Sequence, residues 1–72
     1  MDIVNRFKLK DFLYVVPSDR QVIIRKNKNY QFIASDYPKA LIYGLILDTN
    51  VMFSNVVKVD IQNAALVVTV NF

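Results

Sequence analysis

The chain has 72 residues, 54% of them hydrophobic, with nine lysines and arginines against six aspartates and a formal net charge of +3. It contains no histidine, cysteine, tryptophan or glutamate. That composition excludes a disulfide framework and the usual structural zinc site, and it removes the commonest general acids and bases. Residues 1–72 are read as one small domain, held together by apolar packing, oligomerisation or both. A mean hydropathy of +0.28 is high for so short a chain. More apolar surface is encoded than one monomeric core hides, so a homodimer or a tight protein partner is expected.

In chain order, residues 1–8 read as an N-terminal arm: Ile3 and Phe7 can share a helical face, whereas Phe7 and Leu9 alternating with Arg6, Lys8 and Lys10 read as extended. Leu9, Phe12, Leu13 and Val16 then fall at i, i+3, i+4 and i+7, the stripe of an amphipathic helix. Pro17 ends it, because the residue before a proline is pushed out of helical geometry. Residues 21–26 read as a strand and 30–34 as its antiparallel mate, with Asn27, Lys28 and Asn29 in the loop between them. Val22 and Ile24 face the core with Phe32 and either Tyr30 or Ala34, which leaves Ile23, Arg25, Gln31 and Ile33 outside.

Ser35-Asp36-Tyr37-Pro38 is a helix start, with a capping side chain followed by a proline in the first turn. The helix is expected to run to Leu47, apolar round nearly its whole circumference and therefore covered on most sides. Gly44 inside it marks either a close helix contact or an early end. Asp48-Thr49-Asn50 closes the segment, and Val51-Met52-Phe53 leads through a bulge at Ser54-Asn55 into a second hairpin. Its arms are residues 56–61 and 65–71, joined by a turn at Gln62-Asn63-Ala64. Val57, Val59 and Ile61 in one arm, and Leu66, Val68 and Val70 in the other, alternate with mostly polar residues at the period of a half-buried sheet. Val56 and Val67 break that alternation on the outer side. The expected fold is α+β in the order α-ββ-α-ββ, a four-stranded antiparallel sheet with two helices on one face and the last strand in its interior.

Four stretches carry a resemblance: Leu9-Lys10-Asp11-Phe12-Leu13-Tyr14-Val15-Val16-Pro17, Gln21-Val22-Ile23-Ile24-Arg25, Val56-Val57-Lys58-Val59-Asp60-Ile61 and Leu66-Val67-Val68-Thr69-Val70. In its pattern of apolar positions and turns the chain resembles small uncharacterised proteins of bacteriophages and prophages of Gram-positive bacteria. The resemblance implies a mobile-element origin, a cytoplasmic setting in a bacterial host, and a role in modulating a host or phage component. It assigns no functional residue.

The chemistry is argued by exclusion. The aspartates Asp2, Asp11, Asp19, Asp36, Asp48 and Asp60 are scattered singly, without the spacing of a calcium or magnesium site. Caps, turns and solvated faces account for them. Gly44 is the only glycine, so no phosphate-binding loop is present. Neither a cofactor nor catalysis is implied. The longest apolar run, near 40–47, is far short of the roughly 20 residues of a membrane-spanning helix, and the opening residues are not expected to act as a signal sequence. A cytoplasmic protein without a membrane partner is expected.

Three surfaces stand out. Arg20, Arg25, Lys26 and Lys28, followed by Tyr30, form a basic segment. The whole charge excess lies in the first half of the chain, where Arg6, Lys8, Lys10, Arg20, Arg25, Lys26 and Lys28 outnumber four aspartates. Such a hairpin can contact phosphates and stack on a base, or it can simply guard a sheet edge against pairing. Tyr14, Tyr37 and Tyr43 suit a recognition surface, and equally suit half-buried positions with wet hydroxyls. Outward Ile23, Ile33, Val56 and Val67 would make an apolar sheet face that docks a partner. The leading expectation is a non-enzymatic interaction protein, a homodimer that binds a host or phage protein. A nucleic-acid-binding protein using the basic hairpin is the alternative, and a structural or assembly subunit is the second.

Overall fold

The computed structural model describes residues 7–44 and 48–71. Its elements are α1 (Leu9–Val15), β1 (Val22–Lys26), a single 3-10 turn (Lys28–Tyr30), β2 (Phe32–Asp36), α2 (Pro38–Tyr43), α3 (Thr49–Met52), β3 (Asn55–Gln62) and β4 (Ala65–Asn71). The expected arm lies outside the described residues as far as Arg6. Its last two residues run antiparallel beside the start of β3: Lys8 bridges Asn55, and the Val56 amide donates to the Phe7 carbonyl at 2.9 Å.

The first helix follows its apolar stripe. Leu9, Leu13 and Val16 are buried, and Phe12 packs against them from the edge of the core. Lys8 offers no side-chain cap, and the Leu9 amide donates instead to the Ser54 carbonyl at 2.8 Å. Tertiary pairing thus satisfies a helix-end donor that sequence alone leaves open. At the other end Val16 is extended, with ψ 136, as the following Pro17 demands.

The sheet is mixed rather than wholly antiparallel, with the order β2-β1-β4-β3. Each hairpin is antiparallel within itself, but β1 and β4 lie side by side in parallel, Val22 against Leu66 and Ile24 against Val68. The reason is the connection between hairpins. Between β2 and β3 the chain places α2 and α3 on one face, and a helical crossover returns the chain to start its next strand in the same direction as the last. The expectation that β4 sits in the interior holds. Its residues Ala65, Val67, Val68, Thr69 and Val70 are all buried, as suits a strand with a neighbour along each edge.

Two bulges reassign side chains. In β3 the pairing steps from Val56 against Val70 to Lys58 against Thr69, so Val57 is the extra residue. Val56 and Val59 therefore both turn toward the helices, and Val56, expected on the outer face, is fully buried in the core. The bulge expected at Ser54-Asn55 falls at Val57 instead. In β2 the step from Ala34 against Ile24 to Phe32 against Arg25 makes Ile33 the extra residue. Ile33, expected outside, packs against the core cluster, while Phe32, expected inside, lies across from Arg25 and is 63% exposed. A bulge adds one residue to one strand and so inverts the facing of the residues beyond it.

The long second helix is also corrected. It ends at Gly44, which caps it with an N–H donated to the Ala40 carbonyl, and the part expected over 45–47 lies outside the described residues. The early end at Gly44 is the reading that fits. Asp48 does not close that helix but opens α3: its Oδ1 accepts from the Val51 amide at 2.9 Å. At the start of α2, Asp36 Oδ1 accepts from the Tyr37 amide at 2.7 Å, and Pro38 occupies the first turn. Ile61, expected in the core, lies near the hairpin tip and is exposed.

Leu9, Leu13, Leu41 and Val51 from the helices meet Val22, Ile24, Ala34, Val56, Val68 and Val70 from one sheet face. No described element covers the opposite face. Leu13 is 1% exposed at the centre of the packing, and Leu13→Ala is expected to cost about 3 kcal/mol through lost transfer energy and the cavity left behind. The β3 to β4 turn places Asn63 and Ala64 at φ 51 and 68, the left-handed pair that favours Asn-Gly. Alanine is strained there, so Ala64→Gly is expected to stabilise the chain by about 0.5–1 kcal/mol despite glycine's larger unfolded-state entropy. Denaturant midpoints at unchanged slope check both.

Candidate functional site

The uncovered sheet face is set by register. One row across the strands is Phe32, Arg25, Thr69 and Lys58, and the next is Ser35, Ile23, Val67 and Asp60. Val67 and Thr69 are buried although no helix lies over them. They are short side chains on a central strand, walled by longer ones on its neighbours. A shallow hollow of about 270 Å³ is lined by Arg25, Asp60, Ile61, Gln62 and Val67.

Arg25 organises this face. Its Nε donates to Thr69 Oγ1 at 2.9 Å, its Nη2 stands 3.7 Å from Asp60 Oδ2, and its guanidinium lies 4.5 Å from the centre of the Tyr30 ring. The first contact satisfies a buried hydroxyl. The ion pair, long and half-exposed, contributes little. Lys58 reaches the same carboxylate at 3.6 Å. Tyr30 sits at φ 51, a left-handed conformation that costs a bulky residue roughly 1 kcal/mol or more. It is held there with its ring over Arg25 and 59% exposed.

The basic segment is only partly brought together. Arg25, Lys28 and Tyr30 gather where β1 turns into β2. Arg20 lies at the other end of β1, donating from Nη1 to the Ala64 carbonyl at 2.9 Å, and Lys26 is half-buried and pairs across β4 with Val70, on the helix-facing side of β1. The expected apolar sheet face also disperses. Val56 and Ile33 belong to the core side, Val67 is buried on the outer face, and Ile23 is half-buried beside it. Phe32 was hidden from sequence reading by the bulge. Thr69, Lys58 and Asp60 gave no signal until the register joined them to Arg25.

The tyrosines fare differently. α1 packs against α2, and between them runs a groove of about 120 Å³ lined by Leu13, Tyr14, Val16, Ser18, Pro38, Lys39, Ile42 and Tyr43. Its floor is apolar and its rim polar. Tyr14 and Tyr43 on its rim are 55 and 67% exposed, and Tyr37 is half-exposed at the start of α2. A hydrogen bond from Tyr14 to Tyr43, reinforced by repulsion between the two phenolates, raises the Tyr14 phenol above its ordinary 10.0. Ser18 and Lys39 join this surface without having been singled out.

Among the described residues no group of three or more carboxylates could hold a metal ion, and no helix is long and apolar enough to cross a membrane. Comparison with protein-family models, with curated proteins and with solved structures gives no match.

The tyrosine pair has a measurable consequence. The folded chain keeps Tyr14 neutral to a higher pH than the unfolded chain does. Its contribution to stability is therefore complete below pH 10.0 and is lost as pH rises from there through the folded-state value. Tyr43→Phe removes the second phenolate and is expected to bring the Tyr14 titration back toward 10.0, read from the phenolate absorbance or the ring carbon shifts.

Proposed function

We propose that the protein is a non-enzymatic interaction protein that captures a segment of another protein in the groove between α1 and α2. The observation that carries this is the groove itself: an apolar floor of Leu13, Val16, Pro38 and Ile42, room for about one anchoring side chain, and exposed tyrosines on its rim. Interfaces concentrate their binding energy in such an arrangement, where an aromatic-rimmed pocket takes one buried anchor and excludes water around it. Lys39 and the Ser18 hydroxyl at the rim favour an anchor flanked by an acidic residue. The resemblance to phage and prophage proteins makes a host or phage protein the expected class of partner.

A second reading of the same surface is favoured by the exposed Tyr14 and Tyr43 on the groove's rim, which a twofold axis can set against the groove of a second copy, as a self-complementary interface requires. This is the homodimer that the apolar excess suggests. Growth beyond a dimer would instead mark an assembly subunit.

Selection from a displayed random-peptide library tests the leading reading. Enriched peptides are expected to carry a large apolar residue beside an acid, and Tyr14→Ala with Tyr43→Ala is expected to weaken them at least tenfold. Enrichment without that motif, or binding indifferent to both substitutions, contradicts it. Solution mass across micromolar concentrations, repeated with Tyr43→Lys, reads the dimer. A dimer that Tyr43→Lys converts to monomer supports this twofold contact.

A further inference from the structure

We propose that the uncovered sheet face is a stacking platform for single-stranded nucleic acid, with Phe32 and Tyr30 as the stacking side chains. It is a different surface from the α1–α2 groove and stands independently of it.

The first observation is where the aromatics are. Phe32 and Tyr30 are 63 and 59% exposed, and both adjoin Arg25, one across the strand pair and one over its guanidinium. A lone exposed phenylalanine needs no explanation. Two exposed rings at one corner of a bare sheet present faces on which unpaired bases can stack, and stacking tolerates any base because each has a π-face. The second observation is that Tyr30 is held in a left-handed backbone conformation. Such strain persists where the surroundings over-determine it, and it clusters at sites of function. Here the Arg25 guanidinium, itself held by the hydrogen bond to Thr69, braces the ring from behind.

Charge selects the occupant. Arg25 and Lys58 on the face and Lys28 at its corner outnumber the single acid Asp60, which suits a phosphate backbone. Lys28, exposed in the turn, is the phosphate contact. Arg25 is a positioning residue, its Nε committed to the Thr69 hydroxyl and its guanidinium face to the Tyr30 ring. The hollow beyond the aromatics has Val67 as its apolar floor, and Asp60 and Gln62 on its walls offer acceptors and a donor to a base edge. A double helix keeps its base faces stacked on one another, so only a single strand can use the platform. A second sheet is the weaker occupant, because Val56 and Ile33 belong to the core side and leave little apolar area outside.

Fluorescence anisotropy of a labelled mixed-sequence oligonucleotide tests this, using single-stranded DNA, RNA of the same sequence and the DNA duplex, from low to moderate salt. Single strands are expected to bind more tightly than the duplex and to be released as salt rises. Phe32→Ala and Tyr30→Ala are each expected to lower affinity roughly tenfold, while Phe32→Trp and Tyr30→Phe retain it. Asn50→Ala on α3, away from the sheet face, is the unchanged control. Lys28→Gln is expected to reduce the dependence on salt by about 0.7 of a logarithmic slope. A preference for RNA over DNA identifies a contact to the 2′-hydroxyl, and equal binding identifies a platform that reads faces alone; each supports the proposal. No binding of single strands at low salt overturns it. So does equal binding of the duplex, or undiminished binding by the two alanine variants with melting temperatures that show them folded.

Discussion

The parallel pairing of β1 with β4 is the constraint on which the rest of this structure depends. It joins two hairpins that are otherwise separate local units, and a hairpin alone is marginal in water. Val22, Ile24, Val68 and Val70 on these two strands are fully buried and form the floor on which the helices lie. Because β1 and β4 run the same way, the chain must cross from one outer strand to the other over a single face. α2 and α3 are that crossing, and they bring Leu41 and Val51 to the core beside Leu9 and Leu13 of α1.

The one-sided crossing leaves the two sheet faces unlike. One is filled with aliphatic side chains. The other has only the side chains of its own strands, yet Val67 and Thr69 at its centre are buried and no described buried polar side chain lacks a partner. Arg25 makes this possible by turning its Nε to the Thr69 hydroxyl and laying its guanidinium under Tyr30. A long cationic side chain thus takes the place that a second layer fills elsewhere, covering apolar surface with its stem while its head remains near water. The helical layer acquires its own feature from the same geometry. α1 and α2 pack side by side without closing over their outer surface, and the tyrosine-rimmed groove lies between them.

Much of the framework was legible in residue patterns. The stripe from Leu9 to Val16, the stop at Pro17, the second hairpin and the interior place of β4 all come from periodicity and turn chemistry. The features that were not legible have identifiable causes. The antiparallel expectation took each hairpin's internal direction as the direction of the whole sheet, although a helical segment between two hairpins is itself a signal for parallel pairing. The two bulges leave no mark in composition: neither Ile33 nor Val57 differs from an ordinary strand residue, yet each inverts its neighbours and moves Phe32 outward and Val56 inward. Of the three tyrosines singled out in the sequence, Tyr14 and Tyr43 come together across the α1–α2 packing, which no single helix's periodicity shows, and Tyr37 stays outside the groove. The basic segment was legible only near Arg25, Lys28 and Tyr30, since Arg20 and Arg25 lie toward opposite ends of β1.

The direction of the central pair is open to direct measurement by nuclear Overhauser contacts between backbone protons of β1 and β4 in the isotopically labelled protein. Contacts that join Val22 to Leu66, Ile24 to Val68 and Lys26 to Val70, in that order, are the expected result and fix the mixed sheet and both of its faces. Contacts running in the opposite sense, with Val22 near Val70 and Lys26 near Leu66, would contradict it and remove the register on which the row of Phe32, Arg25, Thr69 and Lys58 rests.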